Sequence, residues 1–291
     1  MTCQYQASPA ISTTTTYHLA KNEQALSPLS LPLVLSHLHA VFKRPPYHGT
    51  RPILVIRSPS SFPRAVVNDL MRNPVSGWYI IHLALPPGDA IPENQAAYQL
   101  AHELGHFWIN AFVEHAFVEV LCEAVALASL SRIAKAWESS DHLPRTYAAK
   151  FVKYRKNIEN NALMFHGKSY LSRGVLPPNL DILSTTVGPS HILAASVLAL
   201  ELDSADDWSV LLSVKDHLGP GCEVNFHEWL AQLHDDDTGC QLAKVIAAIF
   251  DPLCGVAVSS TQTGVQHTTI SPCKCLQMMF SAMLNRFFYK S

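Results

Sequence analysis

From Pro92 to Phe250 apolar residues recur every three to four positions, the spacing that lines one face of an α-helix. The pattern predicts a helix from Glu93 to about Ile109, a second from about Ala116 to Lys135, and a third, amphipathic one over 143–163. The runs "SHILAASVLALEL", "SADDWSVLLSVKDHL", "NFHEWLAQLHDD" and "GCQLAKVIAAIF" follow as helices, with Ser204 and Asn225 as expected N-caps. Ahead of Pro92 the pattern changes. Leu29 to Arg44 has helical spacing, whereas Ile53–Ser58 ("ILVIRS") and Gly77–Leu85 ("GWYIIHLAL") read as strands. Between them "PRAVVNDLMRN" reads as a short helix with Pro63 in its first turn. The layout predicts an α+β fold, a small N-terminal β-sheet followed by a predominantly helical C-terminal half.

Residues 1–28 are rich in Ser and Thr and lack periodicity, which predicts a mobile N-terminal arm. Residues 29–250 read as one domain whose helical subdomain spans about 140–250, and 251–291 as a tail carrying one more helix over "SPCKCLQMMFSAMLNRFF". Hydrophobic residues make up 48% of the chain and charged residues 15%, a composition that excludes wholesale disorder. A net charge of -2 leaves no electrostatic footprint for nucleic acid. The seven cysteines are an odd count, which sits poorly with a closed disulfide framework. Cys122 lies in an apolar helical run, and Cys273 and Cys275 form an isolated C-x-C pair that is weak as a metal site. The polar N-terminus lacks a secretory pattern, and no window has the ~18 apolar residues of a membrane span. The expectation is a soluble, cytoplasmic protein without a membrane partner, of undetermined oligomeric state.

The chemistry concentrates in "YQLAHELGHFW", Tyr98–Trp108. His102, Glu103 and His106 fit H-E-x-x-H inside an otherwise apolar run. On a helix, residues four apart project side by side, so two imidazoles can grip one zinc ion while Glu103 stands next to its water. Chance would produce this pattern about 0.03 times in a chain of this composition. Burying a carboxylate and two imidazoles costs several kcal/mol unless something satisfies them. A third ligand is needed, and the extended pattern ending in a third histidine fails, because Ile109 and Phe112 occupy its glycine and histidine positions. The next helix offers Glu119 and Glu123, four apart in "FVEVLCEAVALASL".

These residues resemble the gluzincin class of zinc metallopeptidases, over about Gly77 to Leu130. The resemblance implies a zincin-like domain, one Zn2+ per chain, and a protein or peptide as substrate. It makes His102, His106 and Glu119 the ligands, Glu123 the acid that hydrogen-bonds a ligand histidine, and Glu103 the general base. The reverse assignment, with Glu123 as ligand, remains open. It also implies that the strand before the motif is an edge strand that pairs with extended substrate. Tyr98, Tyr147, His166, Tyr170 and His191 are candidates for stabilising the transition state, with a core role favoured for Tyr98. His82 is expected in the core, His115 is a competing ligand, and Cys3 or His18 could cover the open metal position. The alternative function is a non-catalytic, zinc-stabilised helical interaction protein.

Overall fold

The computed structural model describes residues 2–3, 17–19, 30–43, 53–58, 64–67, 79–85, 92–109, 115–139, 145–166, 188–220, 223–233 and 239–250. Helices dominate: α1 (Ser30–Phe42), α2 (Glu93–Ile109), α3 (Ala116–Glu138), α4 (Arg145–His166), α5 (Pro189–Ser204), α6 (Phe226–Gln232) and α7 (Cys240–Phe250). A 3₁₀ helix at Ser209–His217 precedes α6. The expected α+β fold with an N-terminal sheet is therefore corrected. Among the residues described down to their side chains, 83% are helical and a single strand remains.

The physical reason lies in which elements fill the core. In α3 the apolar side chains face all directions, and Val118, Leu121, Val125, Leu130, Ile133 and Trp137 are all buried. A helix apolar on every side must be enclosed by others, and α2, α4 and α5 pack around α3. Short strand segments do pair along the backbone: β1 (Thr2–Cys3), β2 (Tyr17–Leu19), β3 (Ile53–Ser58), β4 (Arg64–Val67) and β5 (Tyr79–Ala84). They supply only Val55, Ile81 and Leu83 to the described core, so the fold class is set by helix-on-helix packing.

Three local expectations also change. Of the stretch expected as a short helix after Pro63, Arg64–Val67 pairs as β4, antiparallel to β5, and 68–73 lies outside the described residues. Val66 and Val67 suit a strand when a partner is present, so tertiary context overrides a weak local preference. With β3 parallel to β5 on the other side, β5 is flanked along both edges and is not an edge strand open to substrate. Ser204 is no N-cap: it closes α5, its hydroxyl donating to Glu201 O at 2.9 Å. The 3₁₀ helix is instead led in by Asp207, whose Oδ1 accepts from Ser209 N at 2.8 Å. Asn225 does cap α6, accepting from Glu228 N at 3.1 Å.

Apart from β1 and β2, the N-terminal arm lies outside the described residues, as does the tail from 251 with Cys273, Cys275 and the expected last helix. No helix among the described residues is long and apolar enough to cross a membrane.

Candidate metal centre

The site is built where α2 and α3 lie against each other. His102 and His106 are one turn apart on α2, and their rings stand 5.2 Å apart between centroids. Glu119 and Glu123 are one turn apart on α3. The carboxylate of Glu119 faces both imidazoles: Oε2 is 3.2 Å from His102 Nε2, and Oε1 is 3.6 Å from His106 Nε2. Glu123 reaches the other side of His102, with Oε1 3.5 Å from Nδ1, and its second oxygen accepts from the Tyr98 hydroxyl. Glu103 is buried beside this group.

Gly105 permits the close approach. A Cβ built there would meet Cys122 Sγ of α3 at 3.3 Å, tighter than ordinary van der Waals contact. The helices thus touch almost backbone to side chain between His102 and His106, which brings Glu119 within reach of both. Gly105→Leu is expected to push α3 outward, lowering Tm by about 5 °C or more through overpacking of the core. A thermal melt of the metal-free protein checks this; an unchanged Tm would mean that the two helices are not fixed by this contact.

A cluster this acidic reshapes its own titration. Burial alone would drive the His102 imidazole down, but the bond to Glu119 and the charges of Glu123, Glu103 and Glu119 raise it to about 9. Burial pushes Glu119 up, yet the bond to His102 and the charges of His106, His102 and His191 hold it below its usual value. Burial dominates at Glu123, which is raised. The Cys122 thiol is raised by burial and by the surrounding acids, so it behaves as an inert core group.

The donor set fits a zinc ion. One ligand atom each from His102, His106 and Glu119 lie within 4.8 Å of one another. Each histidine Nε2 has one oxygen of the Glu119 carboxylate near it, Oε2 at 3.2 Å from His102 and Oε1 at 3.6 Å from His106, close to the roughly 3.4 Å between tetrahedral ligands with bonds of about 2.1 Å. Two neutral imidazole nitrogens and a carboxylate oxygen are borderline donors of the kind zinc takes. Glu123 stands on the Nδ1 side of His102, away from the convergence point, so Glu119 is the acid placed to complete the set.

Other expected site residues fall elsewhere. His115 is committed to structure: Nδ1 accepts from Phe117 N at 3.2 Å as the N-cap of α3, and Nε2 donates to Glu223 O at 3.1 Å. Tyr147 stacks on Trp137 at 5.5 Å between centroids and is covered by Lys150. His82 is half-buried and alternates with the core residues Ile81 and Leu83, so it is not the core residue expected. Tyr170 lies outside the described residues, and so do the side chains of His166, Cys3 and His18. His191, buried in the first turn of α5, lies near enough to act electrostatically on Glu119 and Glu123. Its Nδ1 accepts from Gly188 N at 3.3 Å.

The Tyr98–Glu123 bond was missed by sequence reasoning, although a signal existed. Tyr98 lies four residues before His102, on the same face as His102 and His106.

No protein-family model matches the chain, and neither the curated proteins nor the solved structures contain a match.

Proposed function

We propose that the protein is a zinc-dependent metallopeptidase of the gluzincin type, acting on a protein or peptide. The observation that carries this reading is the convergence of His102 Nε2 and His106 Nε2 on the Glu119 carboxylate, with Glu103 buried alongside. His102, His106 and Glu119 would hold the ion. When bound, zinc polarises a carbonyl and brings the pKa of its water towards ~7. Glu103 is the general base: its carboxylate accepts a proton as the amide is attacked and passes it to the departing amine. Glu119 is the most open of the three ligands, with 16% of its side chain exposed against 8% and 11% for the histidines. Water and substrate would therefore enter from the Glu119 side.

One observation favours the alternative, a zinc brace without catalysis: His102, Glu103, His106 and Glu123 are all buried, and the pairs His102–Glu119, His102–Glu123 and His106–Glu119 tie α2 to α3. Both readings need the metal. The first experiment is elemental analysis of the purified protein with His106→Ala alongside. About one zinc per chain is expected, reduced at least tenfold in the variant. The zinc-loaded protein is then offered a quenched fluorescent peptide library, and chelation should stop cleavage. Absence of zinc from the wild type would sink both readings; zinc without cleavage would sink the peptidase.

A further inference from the structure

We infer that Tyr98 is a positioning residue for the metal centre: it fixes Glu123, which in turn holds His102 in the tautomer that presents Nε2 to the ion. The inference rests on the metal-binding reading above. It follows from how two i, i+4 ladders meet. Along α2 run Tyr98, His102 and His106; along α3, in the opposite direction, run Glu123 and Glu119. The rungs are Tyr98 to Glu123, His102 to both acids, and His106 to Glu119.

Each rung has a chemical consequence. An ionised carboxylate only accepts hydrogen bonds. In the metal-free chain Glu119 Oε2, 3.2 Å from His102 Nε2, is the nearer acceptor, and Nδ1 lies 3.5 Å from Glu123 Oε1 without a hydrogen bond. An ion between Nε2 and Glu119 would need the lone pair on Nε2 and leave the proton on Nδ1, where Glu123 is the acid placed to accept it. Glu123 can do this only while its carboxylate keeps its orientation. The Tyr98 hydroxyl donates to the other oxygen, Oε2, and so pins the group. A neutral donor suits this task, because it orients the carboxylate without cancelling the charge that His102 feels. Tyr98 is itself held edge-on by Tyr154 of α4, at 5.8 Å and 75°. A third helix thereby steadies the ligand histidine through two intervening side chains.

A purely structural tyrosine would affect folding but not the metal. The test is zinc affinity of the full chain, measured by competition with a chromophoric chelator, in a double-mutant cycle of Tyr98→Phe and Glu123→Gln. Phe keeps the ring and its contact with Tyr154. Gln keeps the shape of Glu123 but weakens the acceptor facing Nδ1–H. Each single variant is expected to weaken zinc binding by roughly 10- to 100-fold. The double variant should be no weaker than Glu123→Gln alone, because the tyrosine acts only through the glutamate. Thermal melts of the metal-free variants show that they fold. Unchanged zinc affinity in Tyr98→Phe, or losses that multiply in the double variant, would overturn the inference while leaving the metal site standing. A wild type that binds no zinc would overturn both, and the wild-type titration alone identifies that case.

Discussion

Glu103→Gln is expected to remove peptide hydrolysis while leaving zinc in place. Glu103 is 3% exposed and adjacent in sequence to His102, but it is not among the three residues whose ligand atoms converge. Glutamine has nearly the same volume, so the packing around it survives. What it lacks is a basic oxygen able to take a proton at neutral pH. A positioned general base contributes typically 10²–10⁴-fold, so kcat should fall by about that factor, with KM nearly unchanged, because the lost interaction belongs to the transition state. Stability should not fall, since the change removes a buried negative charge from a group already holding Glu119 and Glu123. The measurement pairs cleavage of the peptide library with zinc content. Full cleavage by the zinc-loaded variant would remove Glu103 from the mechanism. Loss of zinc together with loss of cleavage would make Glu103 part of the metal's own support instead.

The candidate site was more legible in the sequence than the fold. H-E-x-x-H is a local pattern: once α2 forms, His102 and His106 must lie on one face, whatever surrounds them. Glu119 and Glu123 were legible as a pair, because two acids four apart in an apolar run cannot both be buried unpaired, but the spacing left open which of them faces both histidines. Local spacing puts Tyr98 on the face of His102 and His106, but which acid it meets depends on the register between two antiparallel helices. His191 reaches the acids from α5, more than sixty positions on, through packing alone. The fold class was misjudged for a related reason. The runs around Val55 and Ile81 do pair as strands, but their share of the core depends on how α1 to α5 close over one another. His115 illustrates the same limit: a histidine near two ligand helices looks like a ligand until its ring is seen capping α3.

Arg155→Met is expected to be the most destabilising single change among the charged residues of α4. Arg155 is 6% exposed, and its guanidinium spans three helices. Nε donates to Glu159 Oε1 at 2.8 Å on α4, while Nη1 meets Asp203 Oδ2 at 2.6 Å on α5 and Ser131 Oγ on α3. Burial pushes both Glu159 and Asp203 up even with the arginine present. Without it, two carboxyls would share a poorly solvated space with no cation between them. Breaking a buried pair in this way costs about 3–5 kcal/mol. At roughly 2–4 °C per kcal/mol for a domain of this size, Tm should fall by about 10 °C.

The pH dependence follows in sign. In the variant the two carboxyls are raised further above their unfolded values, so the folded chain binds more protons than the unfolded one. Its stability is then retained at low pH and lost as pH rises through the raised values. The gap between variant and wild type should therefore widen from pH 5 to pH 8. Adding Glu159→Leu should recover part of the loss, since replacing both members of a buried pair by apolar groups is often near neutral. A fall in Tm of less than about 2 °C for Arg155→Met would show that water reaches the cluster and that α4 and α5 are fastened to α3 by apolar packing alone. The outcome bears on the metal centre as well, because Tyr154, the neighbour of Arg155, is the residue that steadies Tyr98.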